Sequence, residues 1–236
     1  MATNASTLPL RWTYNPFSAG FCNDPLWDSA VTWDTTNPNF TECFQKTALS
    51  WIPCGFLWLA LPLLLRRGLQ TGPTIRRWTY LSTSKIILSG ILALLCLMEF
   101  FHLTHIWRTA GLAGIPDVDI VDPLVKAGTF FLSMWYVYVY RRRARPSSAI
   151  LFVFWLAMLI AGIVRYRTLI ERATVYGISD PLKFGTQMVY LPVVLSQFLL
   201  SCFAETFPEV STNTRKPCPE QLSSVPSRLT FWWFTR

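Results

Sequence analysis

Five apolar stretches, at positions 47–65, 84–107, 122–140, 147–164 and 184–203, decide most of what this chain can become. Each approaches or exceeds the ~20 residues with which a helix crosses the hydrocarbon core of a bilayer. Lipid offers no hydrogen bonds to a bare backbone, so each stretch must satisfy its own N–H and C=O groups, and a helix does so within one segment. The expected fold is an all-α integral membrane protein, a five-helix transmembrane bundle. An odd number of spans sets the two ends of the chain on opposite faces of the membrane.

Charged residues make up 14% of the 236 positions against 52% hydrophobic ones, and the mean hydropathy is +0.33. A soluble domain carries roughly a quarter charged residues, so a soluble fold does not fit. The net charge of +8 resides in short loops beside the spans. That placement points to lipid headgroups and membrane orientation, and no nucleic-acid partner is expected. Residues 1–25 hold no basic segment followed by an apolar one, so no cleavable signal peptide is expected.

Basic residues set the orientation. Arg66, Arg67, Arg76 and Arg77 lie between the first two spans, and Arg141, Arg142, Arg143 and Arg145 between the third and fourth. Both loops are expected in the cytoplasm, which gives an N-out/C-in topology. The expected organisation is an extracellular tail at 1–46, the five-span domain at 47–203, and a short cytoplasmic linker tail at 204–236. The fourth loop runs against this scheme, because it falls outside yet carries Arg165, Arg167, Arg172 and Lys183.

Local signals refine the spans. Asp122-Pro123 and Asp180-Pro181 each offer a capping carboxylate followed by a first-turn proline. Trp135, Tyr136, Tyr138 and Tyr140 suit an interfacial aromatic belt. Pro62 and Pro192 fall inside spans. Ala157 and Ala161 form a small-xxx-small pair suited to close helix packing.

Candidate chemistry is sparse. None of the five lysines follows a glycine, so no phosphate-cradling loop for ATP is legible. No catalytic residue, cofactor site or metal site is assigned. Glu99, His102 and His105, with Cys96 one turn below, could present ligands from one helix face, but they equally suit a wet interfacial end. Lys126 either pairs with Asp122 or snorkels outward. Cys22 and Cys43 share the extracellular tail, where they form a disulfide or remain two free thiols. Asn4-Ala5-Ser6 and Asn39-Phe40-Thr41 are glycosylation sequons. The arginine run at 141–145 serves either orientation or phosphoinositide binding.

The two ends of the chain carry a resemblance. Phe21-Cys22, Asp24-Pro25-Leu26-Trp27-Asp28, Val31-Thr32-Trp33, Asn37-Pro38, Phe40-Thr41 and Cys43-Phe44-Gln45 stand in one register. Pro217-Cys218-Pro219-Glu220 and Ser227-Arg228-Leu229-Thr230-Phe231-Trp232-Trp233 follow at the other end. This resembles the accessory N-terminal transmembrane domain and the start of the linker of a multidrug resistance-associated protein, in the C subfamily of ATP-binding cassette transporters. The resemblance implies that the chain is a fragment or truncated form of an exporter of organic anions and glutathione conjugates. In such a protein ATP and magnesium are bound elsewhere, by domains this chain lacks. For the chain itself it implies trafficking, membrane retention and contacts with the lipid bilayer and with the remaining transmembrane and nucleotide-binding domains. Self-association is a further expected contact. Phe231, Trp232, Trp233 and Phe234 would be an interfacial anchor. The expected location is the plasma membrane, with vacuolar or lysosomal membranes as alternatives. The competing function is that of a channel-regulating membrane subunit domain resembling that of sulfonylurea receptors.

Overall fold

A computed structural model describes residues 21–22, 24–33, 39–69, 79–110, 116–142, 149–177 and 180–203. The described residues form helices and no strands. Two short helices, α1 (Ser29–Trp33) and α2 (Glu42–Lys46), precede five long ones: α3 (Ala48–Leu69), α4 (Tyr80–Ala110), α5 (Asp117–Arg142), α6 (Ala149–Tyr176) and α7 (Pro181–Cys202). At 1.5 Å per residue the long helices measure about 33–46 Å, enough to cross a bilayer with turns to spare. By length and apolar composition alone, 80–109, 149–175 and 181–202 qualify as membrane spans. Helix α5 is more polar, with Asp117, Asp119, Asp122 and Lys126 in its first turns.

The long helices close into a ring in the order α4, α5, α3, α6, α7, each packing chiefly on its two neighbours. Phe130 of α5, fully buried, occupies the middle. Its ring stacks on Trp155 of α6 at 5.8 Å and approaches Tyr190 of α7 at 6.2 Å. Around it Leu57, Leu92, Phe154 and Met158 are also buried. Apolar burial does little to bring helices together in lipid, so shape and interhelical hydrogen bonds carry more of the specificity. Several join neighbouring helices of the ring. Tyr136 Oη donates to the Leu57 carbonyl at 3.2 Å, and Trp58 Nε1 donates to Thr129 Oγ1 at 3.2 Å. Gln197 Nε2 donates to the Lys85 carbonyl at 2.8 Å and to Ser89 Oγ, which accepts from Ser133 Oγ at 3.2 Å. Outward, α4 shows Ile87, Ile91, Leu94, Met98 and Phe101, a spacing that places them on one exposed face.

Three local expectations change. Helix α5 starts at Asp117, so Asp122-Pro123 lies inside it instead of capping it. Pro123 is the seventh residue of α5, beyond the four unpartnered N-terminal N–H groups, so it costs the helix one backbone bond. Tyr136 belongs to the core at 0% exposure, whereas Trp135, in the same run, is 52% exposed. Helix α6 continues past position 164 to Tyr176, carrying its basic residues on a helix rather than in a loop. Elsewhere the local signals hold. Asp180 caps α7, accepting from the N–H groups of Leu182 and Lys183 at 3.2 and 3.3 Å, with Pro181 at the first helical position. Pro62 and Pro192 are interior to α3 and α7, as is Pro53.

Candidate functional site

Charged side chains gather at one end of the ring, where α3, α5 and α7 begin and the N-terminal segment rests. Cys22 and Cys43 are joined there by a disulfide, with the Cα atoms 5.7 Å apart. It ties the segment to α2, whose N-cap Thr41 accepts from the Phe44 N–H at 3.3 Å. Phe21 packs on Trp51 at 5.8 Å, its carbonyl accepts from the Val118 N–H at 3.2 Å, and Trp27 packs on Phe40 and Phe44.

Two ionic clusters follow. In the upper one, Glu42 holds Lys46 and Arg172, each at 2.9 Å, and Lys46 also contacts Asp119. Burial pushes the Glu42 carboxyl up, but the Lys46 charge and the Arg172 hydrogen bond outweigh it and hold Glu42 well below the usual carboxylate range. Burial likewise works against the Lys46 ammonium, yet Glu42 and Asp119 raise it above its ordinary value. Asp24 beside them is pushed up, by burial first and then by the Glu42 charge.

In the lower cluster Asp122 is 5% exposed. Its Oδ2 accepts from Lys126 Nζ at 2.7 Å and from Arg165 Nη2 at 2.8 Å. Lys126 thus pairs with Asp122 rather than snorkelling, and Arg165 joins α6 to α5. Three of the four basic residues that contradicted an outside fourth loop have acidic partners: Arg165 takes Asp122, Arg172 takes Glu42, and Lys183 lies 3.7 Å from Asp119, while Arg167 is exposed.

The column on α4 is divided among different partners. Glu99 accepts from Gln187 Nε2 at 3.2 Å, His102 Nδ1 lies 3.7 Å from Asp180 Oδ2, and His105 is exposed. Among the described residues no group of three such side chains is placed to hold a metal ion. Asn39 is engaged as well. Its Nδ2 donates to Glu171 at 3.4 Å, and its Oδ1 accepts from Gln45 at 3.2 Å and Thr168 at 3.2 Å. Between the clusters opens a cleft of about 220 Å³, bounded by Glu42, Glu99, Asp122, Arg165, Lys183 and Gln187 among others.

Ala161 is buried and Ala157 half-buried on α6, and the close approach to α7 falls one residue on, at Gly162. A Cβ there would meet Leu191 Cδ1 at 3.1 Å. Asn4, Cys218, the linker tail and the Phe231–Phe234 cluster lie outside the described residues, as does most of the 141–145 arginine run. Sequence reading missed Glu42, Asp119 and Gln187. The surplus of basic residues after span four was the available signal, since charges near lipid need partners.

Residues 20–183 match the family model of the ABC transporter TMD0 domain. The chain is 36% identical over 223 residues to ATP-binding cassette sub-family C member 3 of Mus musculus, covering 92% of the chain and 14% of that protein. The Homo sapiens counterpart is also 36% identical over the same shares. Sub-family C member 2 of Homo sapiens is 27% identical over 222 residues, 91% of the chain and 13% of that protein. The chain thus spans about one seventh of the length of these relatives.

Proposed function

Because the chain belongs to the ABC transporter TMD0 domain family, we propose that it is the accessory N-terminal membrane domain of an ATP-driven exporter of organic anions and glutathione conjugates. The observation that carries this reading is the family match across residues 20–183, with sub-family C transporters as its relatives. The chain is a multi-pass membrane protein, and the plasma membrane is its proposed residence. In this reading the chain performs no chemistry and binds no cofactor. ATP and magnesium act in the nucleotide-binding domains of the full-length relative.

The chain's own role is trafficking, membrane retention and contact with the remaining transmembrane and nucleotide-binding domains. Ala161 is buried inside the bundle, so contact with the remaining domains, and self-association, use the exposed apolar side chains such as those of α4. Phe231, Trp232, Trp233 and Phe234 anchor the linker at the cytoplasmic interface. The N-terminal tail lies outside with Asn4 as its modified sequon. At Asn39 a glycan would compete with the amide contacts to Glu171, so modification there is minor.

The test is co-expression of the tagged chain with a sub-family C exporter deprived of its own N-terminal membrane domain. The two parts should co-purify in mild detergent, and the exporter's surface residence should rise. Failure to co-purify, with unchanged surface residence, refutes the accessory role.

A further inference from the structure

The cleft between the ionic clusters is unevenly compensated. Glu99 receives only the Gln187 amide, and no described basic side chain forms an ion pair with it. Asp122, 5% exposed, borders the same cleft and leaves Oδ1 without a hydrogen-bond partner among the described residues. Below it a void of about 10 Å³, again bordered by Glu99, Arg165 and Gln187, has room for one water. Asp122 has Lys126 and Arg165, so Glu99 is the floor carboxylate left without an ion pair among the described residues.

Nearer the rim the loosely held group is a cation. Lys183 is 32% exposed, and its carboxylate partner Asp119, at 3.7 Å, is already held by Lys46. Lys183 and Gln187 are four residues apart on α7, so their Cα atoms are separated by about 6 Å along the helix axis, with Lys183 toward the rim. A volume of about 220 Å³ is room for a small solute and not merely for a single water. A bare anion would leave Glu99 unanswered, and a bare cation would leave Lys183 unanswered. A molecule with both charges answers both.

We propose that this cleft binds a small zwitterion, a primary ammonium joined by a short linker to a phosphate or carboxylate. The ammonium lies against Glu99 and the acidic group against Lys183. An ethanolamine phospholipid headgroup and a free aminoalkyl phosphate share this chemistry. The proposal rests on the cleft alone and stands apart from the transporter role.

The experiment uses the full chain in phosphatidylcholine nanodiscs. Free O-phosphoethanolamine is titrated in one arm, and phosphatidylethanolamine is built into the discs in the other, with the thermal midpoint as readout. A saturable rise in the first arm identifies a free solute, and a rise in the second alone identifies a lipid headgroup. Either effect should weaken by about tenfold or more in apparent affinity in Glu99→Gln and in Lys183→Gln, the scale of a lost charge contact. It should persist in Arg167→Gln, whose side chain is exposed outside the cleft. On the unmutated chain, ethanolamine alone and inorganic phosphate alone should each bind far more weakly than the joined molecule. No rise in either arm overturns the proposal, as does equal binding of one half-ligand.

Discussion

Removing the carboxylate of Asp122 should destabilise the bundle more than any other single charge deletion at this site. Two cations depend on it: Lys126 at 2.7 Å with its side chain 6% exposed, and Arg165 at 2.8 Å with 13%. At an effective dielectric constant near 20, each contact at such a distance carries about 4–6 kcal/mol of attraction, most of it offset by desolvation. Breaking a buried pair by deleting one partner costs about 3–5 kcal/mol, because the remaining charge stays buried. Asp122→Ala strands two charges, although the adjoining cleft admits some water, so about 4 kcal/mol is expected. Lys126→Met leaves the Arg165 contact intact and should cost only about 1–2 kcal/mol. Adding it to Asp122→Ala should recover part of the loss, since one stranded cation disappears. Reversible unfolding in mixed micelles, followed by circular dichroism, gives all three values. An Asp122→Ala cost within about 1 kcal/mol of zero, or a Lys126→Met cost equal to it, would refute the reasoning.

Three further outcomes follow from the same geometry. Cys43→Ser opens a loop with a sequence separation of 21 and should lower stability by about 3 kcal/mol, read as a fall in thermal midpoint that reductant reproduces in the unmutated chain. The Glu42 carboxyl is held below its ordinary 4.5, so its contribution is complete above that pH and is lost as pH falls toward the lowered value. The protection factors of residues 39–46, taken against the intrinsic exchange rate at each pH, should therefore hold down to about pH 4.5 and fall as pH drops toward about 3, less so in Glu42→Gln. Lys46, raised above 10.5, contributes in the opposite sense and is lost only on the alkaline side. Gly162→Val brings a branched side chain against Leu191 Cδ1, where a Cβ alone would stand at 3.1 Å, and should cost about 1–3 kcal/mol by the same unfolding assay.

The five long helices were legible in the sequence because apolar length is a local property, and three of them qualify as membrane spans by length and composition. Asp180-Pro181 was legible for the same reason, since a cap and its helix are neighbours in the chain. Asp122-Pro123 carries an identical local signal and misleads. The carboxylate is used by Arg165, 43 residues away, and the helix starts a turn earlier. Tyr136 and Trp135 share one aromatic run, and only the position of α3 decides which faces the Leu57 carbonyl. Pairing across the ring likewise explains why Arg165, Arg172 and Lys183 read as an orientation anomaly. The charge count was visible, but the partners were not. Gly162 escaped because small-residue spacing drew attention to Ala157 and Ala161, while the contact with Leu191 depends on how α7 lies against α6.

The central claim is a five-span membrane domain with its ionic end outside. It is tested most directly by an epitope at each terminus of the full chain, stained in intact and then permeabilised cells. The account predicts that the N-terminal epitope is reached in intact cells and the C-terminal one only after permeabilisation. Both epitopes on the same side, or the C-terminal one alone outside, would contradict it.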